Sequence, residues 1–262
     1  MRKYLMFVMV CLLAMPVIAQ DEVGPVTFTA NGEDFVRQGF VSKDGWDISF
    51  DNVMVNLEEI RAYQTTPSYN PDDGELVRSD VMIGLPGTYV IDLAAGDADA
   101  APLTVGTVDA APFGYYNAVG WEMTPATDGD MAGYALQIVG TATRDSDMVD
   151  FTLNFGESFK YDCGAFIGDD RLGVLAEGVD GTVEMTFHFD HIFGDAELDP
   201  DDSLNTLAPG FEPFAGLAVD GVVTADDAVF EAEMTAEDYQ LLVEILPTLG
   251  HTGEGHCFEY AG

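Results

Sequence analysis

Residues Asn52–Tyr63 read Asn-Val-Met-Val-Asn-Leu-Glu-Glu-Ile-Arg-Ala-Tyr. Val53, Val55 and Leu57 alternate with their neighbours at the period of a half-buried strand. The next apolar residue on that face is Ile60, so the face slips by one near Glu58, as a β-bulge would cause. Working outward, Val26–Ala30, Trp46–Phe50, Leu76–Ile83, Gly87–Leu93, Phe113–Met123, Tyr134–Thr143 and Met148–Phe155 also have strand character. Loops rich in Asn, Pro, Asp and Gly, such as Tyr69–Gly74 and Ala126–Gly133, separate them. Many short strands at this spacing predict a mainly β chain folded as an antiparallel β-sandwich.

Beyond Cys163 the texture changes. One strong strand, Thr182–Asp190, follows a Gly-rich loop, and Leu204–Val219 has room for a short helix. Ala236–Ile245 is the clearest helix. Thr235 caps it, Asp238 stands at its third position, and Leu241, Leu242 and Ile245 form its apolar stripe. Pro247 and Gly250 end it. The expected fold is thus a sandwich with a short C-terminal helix, spanning 20–262, with a candidate sub-boundary near 163–180.

The chain opens like an export signal. Arg2 and Lys3 precede an apolar run, Tyr4–Met15, and Val17 and Ala19 supply the small residues that signal peptidase accepts. Residues 1–19 are therefore expected to be cleaved before Gln20; the alternative is an uncleaved anchor. The run is shorter than the ~20 residues of a spanning helix. Export places the protein in a periplasm or outside the cell. Formal net charge is −38, and cleavage would remove two of nine basic residues and none of 47 acidic ones. Such a field argues against nucleic acid and anionic lipid as partners and attracts cations. The acids are spread along the chain, as in proteins adapted to salt. Cys11 would leave with the signal, so Cys163 and Cys257 remain. In an oxidising compartment they are expected to form a disulfide, with thiolate metal ligation as the alternative.

Phe50-Asp51-Asn52-Val53, leading into Val55-Asn56-Leu57, is followed later by Gly87-Thr88-Tyr89. Ala111-Pro112 then opens Phe113-Gly114-Tyr115-Tyr116. In these strand-and-turn patterns, residues 50–155 resemble secreted bacterial sandwich domains of a transthyretin-like kind and of unknown function. The resemblance covers less than half of the chain. It implies a fold type and no activity.

All four histidines stand in two tight clusters. The first is His188-Phe189-Asp190-His191, closing the strong strand. The second is His251-Thr252-Gly253-Glu254-Gly255-His256-Cys257, just past the best helix. Imidazole is the usual neutral ligand of zinc and copper, and such sites combine it with carboxylates. Strand alternation would set His188 and Asp190 on one face, opposite Val183, Met185, Phe187 and Phe189. His191 could then bend back towards them. Gly253 and Gly255 allow a tight path bringing His251 and His256 together. His188, His191, His251, His256 and Asp190 are therefore the candidate ligands of a zinc or copper ion. The alternatives are a structural polar cluster and ordinary surface histidines.

The acidic loop Asp195, Glu197, Asp199, Asp201, Asp202 and Asn205 is a weaker candidate, for calcium. Pro200 stands where an EF-hand needs Gly, and no Glu follows at the twelfth position. No nucleophile elbow or phosphate-cradling loop is present. The function expected is capture, storage or delivery of a metal. A structural or adhesive surface domain, and a zinc hydrolase with Glu254 as general base, are the alternatives.

Overall fold

The computed structural model describes residues 22–261; the expected export signal lies outside them. Its strands are Val23–Asn31 (β1), Phe40–Val41 (β2), Asp47–Gln64 (β3), Val81–Asp92 (β4), Leu103–Pro112 (β5), Gly114–Tyr115 (β6), Ala118–Met123 (β7), Leu136–Arg144 (β8), Asp147–Phe155 (β9), Phe159–Cys163 (β10), Val174–Leu175 (β11), Gly181–Phe187 (β12), Val222–Ala225 (β13), Gly250–Thr252 (β14) and Gly255–Ala261 (β15). The helices are short: Glu33–Gln38 (α1), Asp190–Phe193 (α2), Ser203–Leu207 (α3), Glu212–Ala215 (α4), Asp227–Glu233 (α5) and Ala236–Ile245 (α6). None of the described helices is long and apolar enough to cross a membrane.

The spine is β3. It pairs with β8 along its first half, with β7 along its second, and with β4 across most of its length. Val53, Val55 and Leu57 are fully buried, and so are Ile60 and Ala62 beyond the slip. Glu59 absorbs the extra residue at φ 52°, where the register against β4 shifts. A second shift lies between Phe50 and Asn52, so the expected strands Trp46–Phe50 and Asn52–Tyr63 are, apart from Trp46, one continuous strand.

Thirteen of the described strands join one large sheet, whose main path runs β13-β9-β8-β3-β7-β10-β15-β14-β12-β1-β5. Strands from both sides of 163–180 belong to it. The mainly β character is as expected, but the sheet is mixed and not wholly antiparallel. β1 runs parallel to β12, and β13 runs parallel to β9. Alternation fixes which residues face inward and leaves partner and direction open. The expected strand Phe113–Met123 is broken into β6 and β7. Asn117 at the break uses its side chain to accept from the Thr65 amide, 2.8 Å away.

The clearest helix forms as its sequence suggests, with the Thr235 hydroxyl accepting from the Asp238 amide at 3.2 Å. Leu242 and Ile245 are buried. Pro247 sits in a 3-10 turn, Leu246–Leu249, that delivers the chain into β14. The helix is therefore not the last element, because a two-stranded hairpin follows it.

Cys163 and Cys257 form the disulfide, directly opposite one another on β10 and β15. Next to Cys163, Asp162 is a buried carboxylate accepting from the Val77 amide at 3.0 Å. Burial raises its pKa to about 6, and the Val77 hydrogen bond and the Arg61 charge counter this only in part. Its folded value lies above the unfolded one, so its contribution favours folding at low pH and is lost as pH rises through about 6. Asp162→Asn keeps an acceptor for Val77. It is expected to raise the melting temperature by ~5–10 °C at pH ~8 and to change little at pH ~3.5. Melts across that range would refute this if the gain did not grow with pH.

Candidate metal centre

The two histidine clusters meet at one end of the sheet. β14 lies between β12 and β15, pairing Thr186 with His251 and His251 with His256. The His188 amide donates to the Leu249 carbonyl at 3.0 Å, which holds the exit of β12 against the turn before β14. α2 then swings His191 back over the same spot. Two close approaches make this path possible. A side chain at Gly250 would overlap the Tyr161 ring. Gly253 turns the hairpin at φ 56°, where any Cβ would meet the Ile167 carbonyl.

The outcome is a group of three. One ring nitrogen from each of His188, His191 and His251 lies within 4.8 Å of the others. The His188 and His251 rings stack at 4.0 Å between centroids, and His191 stands edge-on to both. His256 is adjacent, 4.7 Å from His251 and 6.5 Å from His191 between ring centroids, but it is exposed and outside the group.

The polar contacts are specific. His188 Nε2 lies 3.2 Å from the Gly253 carbonyl oxygen and 3.2 Å from Glu33 Oε1. His191 Nδ1 lies 2.8 Å from the Thr248 hydroxyl, and His251 Nε2 lies 3.2 Å from the Thr248 carbonyl. His251 Nδ1 is buried with no hydrogen-bond partner. A buried imidazole nitrogen left unpaired is costly, and a metal ion would satisfy it.

Electrostatics divides the three rings. Burial, followed by the charges of its histidine neighbours, lowers the pKa of His251 to about 2. The same causes lower His191 to about 4. Burial also pulls His188 down, but the Glu33 hydrogen bond and charge, with Asp190 and Glu254, outweigh it and raise its pKa. Two rings are thus held neutral, the form that binds metal.

Comparison with protein-family models, curated proteins and solved structures finds no match for this chain. Function therefore has to be read from the site itself.

Asp190 does not occupy the position expected for it. β12 ends at Phe187, and Asp190 opens α2 with its Oδ1 buried and unpartnered. Strand alternation does not extend to it, and it falls outside the group of three. Burial raises its pKa to about 6, against the opposing charge of His188. Glu254 stands exposed in the hairpin turn.

The calcium expectation finds no support, because Asp195, Glu197, Asp199 and Asp201 form no ligand group among the described residues. Buried Asn205 organises that loop instead. It accepts from the Asp195 amide at 2.8 Å and donates to the carbonyls of Asp195 and Asp199 at 2.9 and 3.2 Å. Asp202 caps α3, accepting from the Leu204 amide. Asp195 Oδ1 accepts from the Glu197 amide, so these carboxylates serve their own turns.

Two residues of the site were not legible as such. Glu33 arrives from α1, some 155 positions before His188, and nothing local to it signals the meeting. Thr248 lies between Pro247 and Leu249 in what reads as a helix terminator. Its neighbours Leu204, Leu207 and Ile245, with His191, His256 and Glu259, line a cavity of about 440 Å³ beside the histidines.

Proposed function

We propose that this protein binds a transition metal ion, zinc or copper, through His188, His191 and His251, with His256 as the fourth ligand. Its task is capture, storage or delivery of the ion outside the cytoplasmic membrane. The observation that carries the proposal is the gathering of three largely buried imidazoles from two distant segments, one with an orphaned nitrogen. A donor set of nitrogens suits zinc and copper and is a poor match for calcium or magnesium. The disulfide supports placement in an oxidising compartment. For residues 50–155 the proposal retains a transthyretin-like sandwich as parent fold, resting on the strand-and-turn sequence patterns alone.

The cavity beside His191 and His256 favours a second reading. Three fixed ligands with an open fourth position would let the ion act as a Lewis acid in a hydrolase.

Protein purified without added metal, then equilibrated with one ion at a time and desalted, is expected to retain about one zinc or copper per chain by elemental analysis. Retention of neither, with four histidines intact, would reject the proposal.

A further inference from the structure

The hydrogen bonds around the cluster determine more than its position. A neutral imidazole carries one N–H and one lone pair, and the partner of one nitrogen decides the state of the other. His251 Nε2 faces a carbonyl oxygen, that of Thr248, which can only accept. Nε2 therefore carries the proton, and the lone pair is on Nδ1, the buried atom without a partner. For His191 the partner is a hydroxyl, whose role is settled by its own bond. Thr248 Oγ1 donates to the Ile245 carbonyl at 2.9 Å. Its single proton is used there, so it accepts from His191 Nδ1–H and leaves the lone pair on His191 Nε2.

We infer that Thr248 is the positioning residue of the centre, presetting two of its three inner ligands so that His191 Nε2 and His251 Nδ1 are the ligating atoms. The inference rests on the metal-binding proposal for its purpose, but the preset itself exists without metal. One residue performs both tasks with different atoms: a backbone carbonyl for His251 and a side-chain hydroxyl for His191. It can do so because the 3-10 turn Leu246–Leu249 places Thr248 three residues before His251 while its hydroxyl is tied back to the end of α6. Partners of this kind fix ring orientation and tautomer, and their loss typically costs 10–100-fold in metal affinity.

The division of labour makes the test selective. Removing the hydroxyl should release His191 and leave His251 held, since a backbone carbonyl survives any substitution. In the intact, metal-free, nitrogen-15-labelled protein, long-range proton–nitrogen correlations report each tautomer directly. His251 is expected as Nε2–H and His191 as Nδ1–H. The opposite tautomer at either ring would overturn the preset at that ring. In Thr248→Val, His191 should become a mixture of tautomers while His251 stays Nε2–H, which also shows that the turn has kept its shape. Zinc affinity should fall by ~10–100-fold in Thr248→Val and recover in Thr248→Ser. Wild-type affinity in Thr248→Val, or no recovery in Thr248→Ser, would refute the positioning role. Should the wild type bind neither zinc nor copper, the functional proposal fails, while the tautomers still decide whether Thr248 presets the rings.

Discussion

Zinc at about a hundred times its dissociation constant is expected to raise the melting temperature of this protein by ~5–10 °C. Binding to the folded state alone at that excess contributes ~2.7 kcal/mol, and a chain of this size gains a few degrees per kcal/mol. His191→Ala/His251→Ala should abolish the shift. The shift, and not the absolute melting temperature, is the quantity to compare. His251 is only 2% exposed, so removing it also leaves a cavity that lowers stability without any metal. Protons compete for the same lone pairs. His188, raised by Glu33, is the first of the three rings to take one as pH falls, whereas His191 and His251 stay neutral to about 4 and about 2. The zinc-induced shift should therefore shrink from pH ~8 to pH ~5.5 as His188 charges. A shift that survives in the double variant would place the ion elsewhere on this acidic surface.

Replacing both cysteines, as Cys163→Ser/Cys257→Ser, is expected to cost ~4–5 kcal/mol. The bridge joins residues 94 apart in sequence, and loop-closure entropy of that length sets the magnitude. In a thermal melt this corresponds to a fall of ~10–20 °C. The loss should reach the metal as well. Cys257 adjoins His256, and the strand that carries it pairs with the strand carrying His251. A loss below ~1 kcal/mol would mean that the β10–β15 pairing alone restricts the chain as much as the covalent bond does.

The parts of this molecule that were legible in its sequence are those whose cause is local. The slip at Glu58 announced a bulge because side-chain alternation is a property of one strand. The cap at Thr235 and the stripe Leu242–Ile245 announced α6 for the same kind of reason. The pairing of histidines in two clusters pointed to a site because both members of each pair lie within six residues. Asp190 leaves the face that alternation predicts for it because the strand ends at Phe187 and Asp190 opens α2. The acidic loop suggested calcium by composition, yet one buried amide, Asn205, accounts for its shape. Parallel partners, Glu33 and the contact of Thr248 with His191 depend on which distant segments meet, and no pattern within a single segment encodes that meeting.

The parallel pairing of β1 with β12 also has a consequence in time. Val26 to Asn31 lie against Gly181 to Thr186, so the first strand of the described chain has no partner on that side until some 150 further residues exist. Contacts so far apart in sequence form slowly. Until β12 has been made, β1 can be paired on one side only, by β5, and its other edge stays open to any strand that reaches it first.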